Sequence, residues 1–184
     1  YTRDNYKYPT WWHSENDNCL PHFHSSIELA YVCEGELSAY LNGKLHRVPK
    51  NHLVVVPSYT VHSFVTEKHS ECIIMVVPLD FVPVFAKMIE NKTFLHNICL
   101  ENPKTSEIIR SINAVAASQS GNDMNKPVIK GYFYVILGLL AEKLGLGDTT
   151  PGTGSSGTAA PDNGSSQQFT WPDTGVTAPP AVID

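Results

Sequence analysis

Eight histidines lie in this 184-residue chain, and three of them share a spacing with one acid. The first segment is Pro21-His22-Phe23-His24-Ser25-Ser26-Ile27-Glu28. On an extended strand the side chains alternate faces, so His22 and His24 point the same way. Glu28 returns to that face if the strand is continuous. A second segment, Pro57-Ser58-Tyr59-Thr60-Val61-His62, opens another strand-like run. A barrel that brings His62 beside the other three gathers three imidazoles and a carboxylate. That donor set suits a first-row divalent ion such as Zn, Fe, Mn or Ni. Neutral imidazoles supply lone pairs and the carboxylate offsets the charge of the ion. The same four groups can instead hydrogen-bond one another, water or an organic effector. His13, His46, His52, His69 and His96 have no spacing partner and read as surface or packed residues.

Aromatic residues form a second candidate group. Tyr1, Tyr6, Tyr8, Trp11 and Trp12 crowd the first twelve positions. Flat rings there can stack on a sugar or seal the open end of a barrel, and either use places Trp11 or Trp12 near a pocket. Tyr40 joins the candidate ligand-binding residues if its side chain faces inward.

The elements that must position these residues fall into three zones. Residues 1–80 read as strands: Ile27–Cys33, Leu37–Leu41, Lys44–Val48, Leu53–Val56, His62–Thr66 and Cys72–Val77. Asn42-Gly43 between two of them signals a two-residue hairpin turn. Short strands at this spacing predict an all-β sandwich or barrel. Residues 81–146 change period. Thr105 or Ser106 can cap a helix with Ile108, Ile109, Ile112, Val115 and Ala116 on one side, with Pro103 just upstream. Gly121-Asn122-Asp123 breaks the chain. A second helix begins near Pro127, carries apolar residues on more than one stripe, and stops at Gly145 or Gly147. A helix apolar on so much of its surface is either fully buried within one subunit or packed against a second molecule, and residues 126–146 are expected to form a homodimer contact. In residues 147–184, 22 of 38 positions are Gly, Pro, Ser or Thr, the composition of a linker, tail or fusion. Phe169–Trp171 within it is a candidate anchor for a groove.

With the motifs in hand, the sequence resembles the cupin superfamily. The pattern His-x-His-x3-Glu-x6-Gly is kept at His22, His24, Glu28 and Gly35, and a second motif is matched at Pro57 and His62. Asn16 and Asn51 stand where that family usually has turn glycines, Tyr59 replaces an internal Gly, and Thr66 replaces a final Asn. Asn tolerates the left-handed conformation and Tyr does not, so the turn before His62 is expected to take another shape. The longer run through Leu53-Val54-Val55-Val56-Pro57-Ser58 and His62-Ser63-Phe64 resembles the sensor domain of AraC-type transcription regulators, and this resemblance extends to about residue 146. It implies a mainly β cupin (jelly-roll) barrel that binds a small effector, followed by two helices that dimerise. It also implies a C-terminal helix-turn-helix domain for DNA, expected to be absent from this chain, with residues 147–184 standing where it would begin. Regulators of this kind often keep the His/Glu pattern without a functional metal.

Composition limits the alternatives. Hydrophobic residues make up 42% and charged residues 17%, a globular balance, and no stretch reaches the roughly 18 apolar residues of a membrane span. The chain opens on Tyr-Thr-Arg-Asp-Asn, with no secretory h-region and no initiator Met, as a processed or excised piece would. All 13 Lys and Arg lie before residue 147 with 14 of the 18 acids, so no basic footprint for nucleic acid exists. Cys19, Cys33, Cys72 and Cys99 are too scattered for a disulfide framework and read as reduced thiols of a cytoplasmic protein. The expected function is effector sensing and dimerisation with no membrane partner and no catalytic residue. The alternatives are a small metal-dependent cupin enzyme (a dioxygenase or isomerase) and, third, a plain metal-storage or sugar-binding module.

Overall fold

The structure is a computed structural model, and it describes residues 7–99, 106–118 and 127–149. Its β elements run β1 (Thr10–Glu15), β2 (Ile27–Leu41), β3 (Lys44–Pro49), β4 (Leu53–Val56), β5 (His62–Val65) and β6 (Ser70–Val77). A 3-10 turn at Leu79–Phe81 leads into α1 (Pro83–Met88), β7 (Lys92–Phe94) and β8 (Ile98–Cys99). Then come α2 (Ser106–Ala116), α3 (Pro127–Leu144) and β9 (Leu146–Asp148). This is the expected mainly β barrel followed by two longer helices. The proposed Thr105 cap, Pro103, the 121–123 break, Tyr1, Tyr6 and the Phe169–Trp171 anchor lie outside the described residues.

The barrel is built around one long strand. The runs 27–33 and 37–41, read separately in the sequence, join as the 15-residue β2. Its first half pairs with β4 and β6, and its second half pairs with β3 and β5, all antiparallel. The strand can serve both sheets because it bends. Its register shifts between Val32 and Glu34, and Gly35 follows at φ +73°. At Asn42 and Gly43 φ is 48° and 79°, both positive as the hairpin turn requires. The part of the aromatic segment that carries Trp11 and Trp12 forms edge strand β1 against β6, from Thr10 opposite Val76 to Glu15 opposite Glu71. On the other edge, β8 extends the sheet beyond β4.

The pleat divides the apolar side chains into two cores. Inside the barrel lie Ala30, Val32, Ala39, Val54, Phe64 and Ile74. On the outer face of the same sheet Leu29, Val55, Met75 and Val77 meet Ile108, Ile112, Phe133 and Ile136 of the helices. Alternation is the cause: successive residues of a strand face opposite sides, and both sides here are covered, so β2 and β6 are apolar almost throughout. Phe133 is fully buried, with Phe81 at 5.8 Å and Trp11 at 6.1 Å between ring centroids. Helix α3 ends at Leu144, before Gly145 at φ +69°, whose N–H donates to the Ala141 carbonyl at 3.1 Å.

Two glycines with similar dihedrals separate conformational strain from collision. A Cβ on Gly35 would lie 2.0 Å from the His69 carbonyl oxygen, whereas one on Gly43, at φ +79°, meets nothing within 4 Å. Gly43→Ala should therefore cost only about 1 kcal/mol of backbone strain, and Gly35→Ala should cost at least twice that. Urea denaturation midpoints of the two variants check this; equal losses would contradict it.

Candidate functional site

Three backbone segments bring the expected four donors together. His22 and His62 form an isolated antiparallel bridge, with reciprocal N–H to carbonyl bonds of 2.9 and 2.8 Å. His24 follows His22 across that bridge, and Glu28 sits near the start of β2. The histidines and Glu28 do not lie on one continuous strand, as the spacing predicts. Four residues of straight strand would separate His24 from Glu28 by about 13 Å. A bend at Ser25-Ser26 folds the chain back, so that His24 Nε2 lies 2.8 Å from Glu28 Oε2. The four ligand atoms all fall within 4.8 Å of one another, and no other such group occurs among the described residues.

Each imidazole is oriented the same way. His22 Nδ1 donates to the Leu20 carbonyl at 2.9 Å, His24 Nδ1 to Ser26 at 3.0 Å, and His62 Nδ1 to Thr60 at 2.8 Å. A neutral ring that donates from Nδ1 carries its lone pair on Nε2. This backbone shell therefore leaves the Nε2 atoms of His24 and His62 facing the carboxylate, the outer-shell arrangement that fixes metal-binding histidines. His62 Nε2 is 3.4 Å from Glu28 Oε2, is buried, and makes no hydrogen bond. Lone pairs facing a carboxylate oxygen repel, so the cluster requires a positive charge at its centre, either a proton or a cation. The residues fit a divalent ion on that ground.

Burial sharpens the requirement. Glu28, His24 and His62 are 4%, 2% and 1% exposed, while His22 is half-buried and opens the cluster to solvent. Burial pushes the Glu28 carboxyl up, but a proton held on His24 Nε2, which makes that ring a donor to Glu28, and the neighbouring His62 outweigh it and hold the pKa at about 2. Burial lowers the His22 imidazole, with the nearby His62 and His24 adding to the effect against the Leu20 carbonyl and Glu28.

The turn before His62 departs from expectation. Tyr59 does not avoid the left-handed region; it adopts φ +61°. Its N–H donates to the His24 carbonyl at 2.8 Å, and the Thr60 N–H donates to Pro57 at 3.2 Å. These bonds hold a bulky residue in a conformation that costs roughly 1 kcal/mol or more. Asn16 and Asn51 take φ 53° and 65°, as their replacement of glycine predicts. Thr66 donates its hydroxyl to the Asp17 carbonyl at 2.9 Å.

The remaining site candidates separate by face. Trp12 pairs across β6 with Ile74, so it lies on the inner barrel face, at 37% exposure. Trp11 lies on the opposite face, in the core with Phe133, away from the histidines. Tyr40 alternates with the inward Ala39 and Leu41 and therefore lies on the outer face of β2. Sequence reasoning missed Thr10, which shares the inner-face row of Val76 and Glu28 and whose buried Oγ1 has no partner. Period-two alternation along β1 would have found it, had the arm been read as a strand. None of the four cysteines forms a disulfide, and burial pushes the Cys72 thiol up to about 12.

Comparison with known proteins follows the geometry. The family model for the AraC-like ligand binding domain matches residues 8–124. No curated protein matches the sequence. Among solved structures, an RmlC-like cupin from Shewanella frigidimarina is 19% identical, at TM-score 0.35 over 39% of this chain and 67% of its own. A cupin 2 conserved barrel domain protein from Leptotrichia buccalis is 20% identical, at TM-score 0.37 over 39% of this chain and 36% of its own. A Streptococcus pyogenes protein of unknown function is 12% identical, at TM-score 0.38 over 40% and 68%.

Acid should destabilise the metal-free chain in two stages. His22, with its lowered folded pKa, contributes stability that is full above about pH 6.5 and falls as the unfolded chain takes up the proton. Glu28 contributes stability that is full above about 4.5 and is lost as pH falls toward about 2, on the order of 3 kcal/mol. Urea midpoints in EDTA should therefore drop through both windows, and Glu28→Gln should flatten the lower one; equal acid sensitivity below pH 4.5 would refute the assignment. With its barrel, its inward histidines and the match over residues 8–124, the chain belongs to the AraC-like ligand binding domain family.

Proposed function

We propose that this chain is the effector-sensing and dimerisation part of a transcription regulator, and that His22, His24, Glu28 and His62 hold a divalent ion (Zn, Ni, Mn or Fe) inside the barrel. The observation that carries the metal reading is the shared orientation of the rings, with every Nδ1 committed to a backbone carbonyl and the remaining donor atoms within 4.8 Å. A bound ion would supply a fixed positive charge for an oxygen of a small-molecule effector. The inner face of β1 offers that effector the unpartnered Thr10 hydroxyl and the ring of Trp12.

Regulation on this reading is a population shift. An effector that binds one arrangement of β1 and the helices better changes how separate DNA-binding domains are presented. We place the barrel and arm in residues 1–80, the dimerisation segment in 81–146 and a linker or tail in 147–184, with the protein in the cytoplasm. Among the described residues no helix is long and apolar enough to cross a membrane. Dimerisation uses the outward side of α3, where Val128, Gly131, Val135, Gly138 and Glu142 recur at spacings of three and four. A Cβ added at either glycine would meet nothing within 4 Å, so a second helix can approach closely there.

The donor set also favours a second reading, a metal-dependent dioxygenase or isomerase. The open stripe on α3, which such catalysis does not need, favours the sensor. Turnover by the metal-loaded chain would reverse that order.

Two measurements test the proposal. Untagged, EDTA-treated protein titrated with Zn2+ or Ni2+ should take up one ion per chain at about pH 7.5. It should bind more weakly at about pH 5, where protons compete for the imidazoles. His62→Ala should weaken binding by roughly 100-fold or more, since even outer-shell changes cost 10–100-fold. Uptake at neither pH rejects the metal. Separately, Gly138→Asp, on the open stripe of α3, should convert a dimer to a monomer in sedimentation while the far-UV CD stays β-rich; a monodisperse dimer of that variant counts against the α3 interface.

A further inference from the structure

A second concave site lies outside the barrel, on the opposite face of the sheet from the histidines. Between the Pro57–Tyr59 turn, α1, β7 and β9 is a cleft of about 660 Å3. That volume falls within the roughly 300–1,000 Å3 of small-molecule sites. Its floor is apolar, from Ile27, Leu79, Ile89, Phe94 and Leu146. Its rim carries Lys87 and Lys92, both exposed and neither in an ion pair with a described residue, with Glu90 beside them and Asp148 opposite Lys92 on β9. In its wall is Ser58, whose Oγ is shielded from solvent and has no hydrogen-bond partner. A buried hydroxyl left unpaired is unfavourable, and a ligand acceptor reached by rotation about χ1 would satisfy it. Tyr59, strained at φ +61° and 68% exposed, stands at the edge.

We propose that this cleft binds a small organic anion, a carboxylate carried on an apolar body. The apolar floor takes the body, and the Lys87 and Lys92 ammonium groups with the Ser58 hydroxyl take the carboxylate. The site is separate from the barrel interior and stands whether or not the histidines hold a metal. It shares one wall with them nonetheless. Ile27 faces the cleft while the next residue, Glu28, faces the cluster, and the turn that lines the cleft with Ser58 and Tyr59 ends at His62. The Tyr59 N–H to His24 carbonyl bond and the Thr60 carbonyl under His62 Nδ1 tie that turn to the cluster's backbone shell.

The test is an amide-resolved NMR titration of the full chain with 3-phenylpropionate, and with 3-phenylpropan-1-ol as its uncharged counterpart. The expected result is saturable shifts at Ser58, Tyr59, Ile89 and Phe94. Affinity should be about five- to tenfold weaker for the alcohol, and for the acid with Lys87→Gln/Lys92→Gln, as two partly exposed charges supply. Ala86→Trp, which fills the cleft from α1, should abolish the shifts while leaving Zn2+ uptake by the histidines unchanged. Shifts confined to inward residues such as Ala39 and Phe64 would overturn the proposal and assign the anion to the barrel. Equal binding of acid and alcohol, or no saturable shift, would overturn it as well.

Discussion

Two buried imidazole nitrogens set against one buried carboxylate oxygen, with a third ring beside them, cannot persist without a positive charge among them. That constraint organises the deepest part of this molecule. His24 Nε2 at 2.8 Å and His62 Nε2 at 3.4 Å from Glu28 Oε2 are close enough for a proton or a cation to be held, and the backbone shell prevents the rings from turning away. Each ring is locked by a carbonyl two residues before or after it in the chain. The locking is local and would form whichever cation is present. Burial of Glu28 makes the arrangement costly to leave uncompensated, because a lone buried carboxylate loses its hydration with nothing in return.

The pleat of one sheet decides what else can reach that charge. Neighbouring residues of β1 serve opposite purposes: Thr10 and Trp12 look into the barrel, and Trp11 seals the helical core against Phe133. Neighbouring residues of β2 divide in the same way, with Ile27 outside and Glu28 inside. A change at any one position thus acts on one face while its neighbour acts on the other. This gives a physical route by which events on the helical side of the sheet reach the barrel without any residue touching both.

The Pro57–His62 turn is the point where the two sides join. It carries a tyrosine in left-handed geometry, a buried hydroxyl without a partner and the fourth donor of the cluster. Strain concentrated in six residues between two concave sites marks a segment whose conformation is sensitive to what occupies either one. The helix that closes the outer core adds a second surface, since α3 buries Phe133, Ile136 and Leu140 against the sheet and leaves Val128, Gly131 and Gly138 on its far side.

Much of this was legible in the residues alone. Spacing identified His22, His24, Glu28 and His62, because side-chain type and period-two alternation are local properties. Asn42-Gly43 announced its hairpin for the same reason, and Pro127 and Gly145 bounded α3. What needed the tertiary structure was distance and face. No local rule shows that Ser25-Ser26 bends, yet without that bend His24 and Glu28 stand about 13 Å apart. The union of two runs into β2 depends on Gly35 packing against the His69 carbonyl, a contact across 34 positions of chain. Trp11 and Tyr40 face away from the barrel interior because strand register, which is set by pairing partners, chooses the side on which each residue falls. Tyr59 takes a conformation its own side chain disfavours because His24, far away in sequence, accepts its N–H. Chemistry could be read from the chain, but convergence could not, because it is a property of segments brought together by folding.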